Sequence, residues 1–201
     1  MTTTTFGITW DYRCPYARNA HEHVVEALRA GAPWEVQFVP FSLDQAHVED
    51  GATPVWDAPD RYPGLLANAV GIVLRDRYPE QFLDAHLALF AARHDHSLDT
   101  RNREVLTEVL AGQGIEAGAV FDAVDDGWPL EAFRKEHQAA VDEHRVFGVP
   151  TFVVGDRATF VRLLTRPRGD AGLARTTIDR VVDLMAGSPD LNEFKDTSIP
   201  R

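Results

Sequence analysis

The sequence predicts an α/β fold, on three observations. Two strand-like runs flank a helical one near the N-terminus, and the middle of the chain holds helical patterns that no strand pattern interrupts. A helix, a pair of short strand-like runs and a last helix then close the chain. A length of 201 residues suits one domain of ordinary size or one domain carrying a large insertion. With 44% hydrophobic and 25% charged residues, the chain has the composition of a soluble globular protein with a real core.

The elements follow in order. Thr4 to Trp10 reads as a short buried strand, and Pro15 stands where the first helical turn tolerates a proline, its missing N–H having no partner there anyway. Ala17, Ala20, Val24 and Leu28 recur at helical spacing until Gly31 stops the pattern. Trp34, Val36 and Phe38 alternate with Glu35 and Gln37 and run into Val39-Pro40-Phe41, a second strand and hence a βαβ unit. Four helices are predicted next, over Leu65 to Tyr78, Pro79 to Arg93, Arg101 to Leu110 and Ala117 to Asp125, with breaks at Tyr78-Pro79, at His94 to Ser97 and at Gly112-Gln113-Gly114. A further helix, Leu130 to Arg145, leads to Gly148-Val149-Pro150-Thr151. A hairpin follows, with Phe152-Val153-Val154, a turn at Gly155-Asp156, and Ala158 to Leu164. Asp170 to Ala186 reads as an amphipathic helix with Leu173, Thr177, Val181 and Leu184 on one side, stopped by Gly187 and Pro189. This order matches a thioredoxin-like fold with an α-helical domain inserted between its βαβ and αββα halves. Residues 1–60 and 128–201 form the core and 61–127 the insertion.

A net charge of −11, with no run of Lys and Arg, argues against nucleic acid as a partner. The 20 basic residues are 18 Arg and two Lys, Lys135 and Lys195, a usage that suits a GC-rich bacterial genome. Met1-Thr2-Thr3-Thr4-Thr5-Phe6 has neither a positive n-region nor an apolar h-region, so a cytoplasmic location away from membranes is expected.

Cys14 is the only cysteine. It stands one residue before a helix, facing unpartnered N–H groups and the positive end of the helix dipole, which favour thiolate over thiol. Arg13 and Arg18 add positive charge nearby in sequence. These features mark Cys14 as a nucleophile of lowered pKa; the alternative is a buried, inert cysteine. A lone thiol cannot form an internal disulfide, so any disulfide chemistry is intermolecular or with a small thiol.

Cys14-Pro15-Tyr16-Ala17 after a first strand, together with Gly148-Val149-Pro150-Thr151 before a late one, resembles the DsbA-like branch of the thioredoxin superfamily, and the element order is similar over nearly the whole chain. The resemblance implies that Cys14 attacks, that Pro15 opens the helix, and that Pro150 is a cis-proline, with Val149 and Thr151 beside it and Val149 presenting its backbone to substrate. The segments Gly155 to Phe160 and Leu163 to Gly169, with the tail that closes the chain, look like the actinobacterial mycothiol-dependent nitroreductase, or FrnE-like, subgroup. That implies a small thiol co-substrate, mycothiol or a glutathione-like thiol, with no tightly bound cofactor.

The departure from the family pattern is Ala17, which stands where the resolving cysteine belongs. A dithiol cycle needs a second thiol to release the mixed disulfide. Three readings stay open: a monothiol oxidoreductase released by a second thiol molecule, a thiol-binding transferase or isomerase similar to kappa-class glutathione transferases and hydroxychromene-carboxylate isomerases, and a redox-inactive binding module.

Other residues are weighed against plainer roles. His21 and His23 lie about 200° apart on a helix and cannot share an ion, while His94 and His96 have no evident third ligand and read as solvated loop residues, so no metal is expected. Tyr12, Tyr16 and Ala17 are candidate substrate contacts, Tyr12 and Tyr16 forming with Trp10 an aromatic wall that core packing explains equally well for Trp10. Arg166 and Arg168 are candidates to hold a carboxylate or sugar hydroxyls. Glu131, Glu136, Asp142 and Glu143 read as a solvated helix face, and Phe82, Leu83, Leu87 and Phe90 as the core of the insertion. Substrate is expected in the groove between insertion and core.

Overall fold

A computed structural model describes residues 3–193 and Lys195; Met1, Thr2, Phe194 and residues 196–201, parts of the terminal stretches read above, lie outside the described residues. The elements are β1 (Thr4–Trp10), α1 (Pro15–Arg29), β2 (Trp34–Pro40), a short α2 (Leu43–Ala46), α3 (Leu65–Arg77), α4 (Pro79–His94), α5 (Arg103–Gly112), α6 (Ala117–Asp125), α7 (Trp128–His144), β3 (Thr151–Val154), β4 (Arg157–Phe160) and α8 (Ala171–Gly187).

The strands form one sheet in the order β2-β1-β3-β4. β1 pairs with β2 in parallel from Thr4 opposite Trp34 to Trp10 opposite Pro40, and antiparallel with β3 at Gly7–Val153 and Ile8–Phe152. A strand covered on both faces needs an unbroken buried run, and Phe6 to Trp10 supplies it. α1 packs on α8 and β1, α7 packs on β2, and the inserted helices meet the rest through α4 on α1 and α3 on α7.

Three expectations need correction. The last strand ends at Phe160, short of Leu164: the carbonyls of Leu163 and Thr165 accept from Asn19 Nδ2 at 2.8 Å and His23 Nε2 at 3.1 Å, which bend the chain off the sheet and across α1. The helix expected from Leu130 begins at Trp128, because Gly127 at φ 81° turns the chain into it and Pro129 fits its first turn. On α8 the buried face is Ala174, Ile178, Val182 and Met185; Leu173 and Leu184 are 47% and 45% exposed, so the helix is rotated by one residue from the expected stripe.

Candidate active site

The site grows from the turn Asp11 to Cys14, where β1 hands over to α1. Cys14 has extended backbone angles (φ −89°, ψ 117°) and is the N-cap of α1, with Pro15 opening the helix. Its sulfur accepts from the Ala17 N–H at 3.4 Å, and its thiol donates to the Val149 carbonyl at 3.3 Å. The Val149–Pro150 peptide is cis. The structure thus brings together four of the expected site residues, Cys14, Ala17, Val149 and Pro150, with Pro15 beside them.

The expected electrostatics are overturned. Cys14 is only 8% exposed, and burial pushes its thiol above the ordinary value. The N–H groups of Ala17 and Tyr16 pull it down, and the Asp11 carboxylate adds to the upward push. The thiol hydrogen bond to Val149 favours the same protonated form. Nor do the two arginines help. Arg13 grips Asp11 at 3.0 Å and Asp44 at 2.7 Å, while Arg18 pairs with Asp95.

Tyr12 and Thr151 are corrected as substrate contacts. The Tyr12 ring is fully buried, its hydroxyl donating to His86 Nδ1 at 2.7 Å. Thr151 is also buried; its N–H donates to Thr9 Oγ1 at 2.8 Å and its hydroxyl to the Gly148 carbonyl at 2.7 Å, leaving no donor for a ligand. The Ala17 side chain is buried, so its contribution to the site is its N–H. Tyr16 is half-buried with the Arg162 guanidinium over its ring, 5.4 Å from the centroid, so it remains on the rim of the site. The exposed Phe147 lies against Phe160 just before the cis-proline loop.

Arg166 is occupied as well: its guanidinium holds Asp95 through two bonds of 3.0 Å and Glu22 at 2.6 Å, whereas Arg168 is exposed. His94 is no loop residue. It ends α4 and its Nε2 donates to the Tyr12 carbonyl at 2.9 Å. Glu136, expected on a solvated face, receives Arg75 at 2.6 and 2.7 Å. Among the described residues no group of three or more His, Cys, Asp or Glu is arranged to hold a metal ion.

Several residues that shape the site were not legible as such. Asp11 is a fully buried carboxylate that accepts from Arg13 and from the Leu43 N–H at 3.0 Å; its only signal was an acid placed between two aromatics at the end of an apolar strand. His86 donates through Nε2 to His21 Nδ1 at 2.9 Å, and His21 Nε2 donates to the Thr9 carbonyl at 3.1 Å. The carbonyl end fixes every proton in this line, since each ring then donates once and accepts once. The signal for His86 was a polar side chain on the same helical face as Phe82 and Phe90. Burial holds both rings neutral, lowering His21 to about 4 and His86 well below its ordinary value.

A family model described as DSBA-like thioredoxin domain matches residues 8–164. No curated protein matches the chain by sequence. Among solved structures, a 2-hydroxychromene-2-carboxylate isomerase is similar over 91% of this chain and 98% of its own, with TM-score 0.64 and 14% identity. A probable DsbA oxidoreductase from Streptomyces coelicolor covers 96% of this chain and 94% of its own (TM-score 0.58, 17% identity). The oxidoreductase DsbA1 of Neisseria meningitidis covers 93% and 86% (TM-score 0.60, 14% identity). At these identities the likeness establishes the fold.

Proposed function

Because the chain belongs to the DSBA-like thioredoxin domain family and has thiol–disulfide oxidoreductase character, we propose that it works as a monothiol through Cys14, using a low-molecular-weight thiol, mycothiol or a glutathione-like one, in the cytoplasm. Within the family it is assigned to the actinobacterial mycothiol-dependent, FrnE-like subgroup, with 61–127 as a helical insertion in the core. One observation carries the reading: the sole cysteine of the sequence caps α1 against the cis-proline loop, its sulfur 3.4 Å from the Ala17 nitrogen.

The chemistry balances without a resolving cysteine. Cys14 attacks the small-thiol sulfur of a mixed disulfide X–S–S–R; the S–S bond breaks, Cys14–S–S–R forms, and the Cys14 proton leaves with X–SH. A second R–SH attacks the adduct, giving R–S–S–R and returning Cys14–SH. Its raised pKa makes Cys14 a poor leaving group, so release from the adduct is slow unless R–SH is in excess, and that excess drives the net exchange toward reduction of X. The likeness in shape to an isomerase over nearly its whole length favours one second reading, in which the site binds a small thiol and activates its sulfur with no electron exchange.

The test is intact mass after incubation with glutathione disulfide, then with excess glutathione, alongside the pH dependence of Cys14 alkylation. A single adduct that excess thiol removes, and that is missing from Cys14→Ser, supports the monothiol enzyme. No adduct at any pH up to 9 overturns it, and activity surviving in Cys14→Ser favours the isomerase-like reading.

A further inference from the structure

The turn that carries Cys14 is built on Asp11. Its main-chain carbonyl accepts the Cys14 N–H at 3.0 Å, and its carboxylate accepts the N–H groups of Arg13 and Leu43, each at 3.0 Å. The same carboxylate holds the Arg13 guanidinium at 3.0 and 3.2 Å, and another nitrogen of that guanidinium reaches Asp44 at 2.7 Å. One residue thus closes the turn twice and ties it to α2. The carboxylate is fully buried, where a charge acts over several ångströms with little screening. After burial itself, it is the influence that favours the protonated Cys14 thiol, against the N–H groups of Ala17 and Tyr16. The other groups around the sulfur carry no free charge toward it. On α1, Arg18 pairs with Asp95 and Glu22. The cis-proline loop presents the Val149 carbonyl. At the end of α4, burial lowers the pKa of His94, whose Nε2 donates to the Tyr12 carbonyl. Arg93 and Arg101, the latter held by Asp99, share a cavity wall with Arg13 and not with Cys14.

We propose that Asp11 is a positioning residue for Cys14, its buried carboxylate and the Arg13 guanidinium that offsets it acting on the sulfur with opposite sign. Two carboxylates share the one guanidinium, so a net negative charge stays in the cluster. The use made of that charge rests on the monothiol reading. A carboxylate beside the sulfur holds back the thiolate that attacks, and it weakens Cys14 as the leaving group of its own adduct. Arg13, by offsetting Asp11, keeps both effects partial.

The experiment titrates Cys14 by the ultraviolet absorbance of its thiolate, each chain read against the same chain carrying Cys14→Ser so that the tyrosines cancel. Below the midpoint, the thiolate fraction is expected to rise about tenfold in Asp11→Asn and to fall about tenfold in Arg13→Met. A turn that is merely loosened would let water reach the sulfur and raise the fraction in both. Movement in the same direction, or a midpoint that stays put in either variant, overturns the proposal. Should Asp11→Asn fail to fold, Asp44→Asn takes its place. It removes an acid whose side chain is 25% exposed, so a smaller rise is expected, and a fall or no change overturns the proposal. The titration needs no second thiol, so the two readings fail separately. Absence of any adduct with glutathione disulfide sinks the monothiol enzyme, while the role of Asp11 stands or falls on the midpoints.

Discussion

Tyr12 stands two residues from Cys14 and packs into the inserted helices. Every polar group it has is taken by the inserted helices: its N–H donates to Asn68 Oδ1, its carbonyl accepts from His94, and its hydroxyl donates to His86. Gly71 completes the fit, because a Cβ there would fall 2.5 Å from the tyrosine hydroxyl oxygen; here a helix interior accepts the cost of a glycine, about 1 kcal/mol, to admit a phenol. Tyr12→Phe leaves His86 Nδ1 buried without its donor and is expected to destabilise the fold by about 1–3 kcal/mol in urea melts. No loss would show that the line of histidines is not held from this end. Cys14 teaches the complementary lesson. Its place at a helix start was legible from Pro15 and the strand before it. Its burial was not, because the Val149 carbonyl that covers it lies 135 residues away.

At the scale of elements, strands and helices were legible nearly to the residue where a proline or glycine marks an end, as at Pro15, Pro79 and Gly31. The face of α8 was not legible. Leu173, Thr177, Val181 and Leu184 form one apolar stripe and Ala174, Ile178, Val182 and Met185 form its neighbour, about 100° around the axis. Only the packing of α1 against α8 chooses between them. Ile178→Ala is therefore expected to cost 2–5 kcal/mol and Leu173→Ala no more than about 0.5, by denaturant unfolding; the reverse order would restore the first stripe. The segment after β4 escaped notice for a related reason. Asn19 and His23 on α1 hold it by its carbonyls, and Glu26 accepts the Gly169 N–H at 3.0 Å. Backbone groups of that kind carry no sequence signal. Asp44, which shares Arg13 with the neighbouring Asp11, and the carboxylates that neutralise Arg18 and Arg166 from afar were equally silent, since such pairing depends on where distant segments return.

Across the whole molecule, buried imidazoles set the response to acid. His21 and His137 are lowered to about 4 and His86 below its ordinary value, all chiefly by burial. Unfolded, each takes a proton near pH 6.5; folded, each refuses it until well below. These groups leave stability flat above pH 6.5, and it then falls as the pH drops from 6.5 toward 4, by about 1.4 kcal/mol per pH unit for each histidine. Urea midpoints at pH 7.5, 6 and 5 check this, and a profile level across that range would mean that the rings titrate freely. No described helix is long and apolar enough to cross a membrane.

The hydrogen bonds from Tyr12 through His86 and His21 to Thr9 pass from the sheet half of the chain into the helical half and back. Protein modules are often treated as cassettes, to be cut out, swapped or grafted on a new scaffold. Here the cut would sever a shared interior. Removing α4 would leave a phenol, an imidazole and a main-chain carbonyl stranded in what remained, so a shuffled gene must carry residues 12, 21, 86 and 94 together or carry none of them.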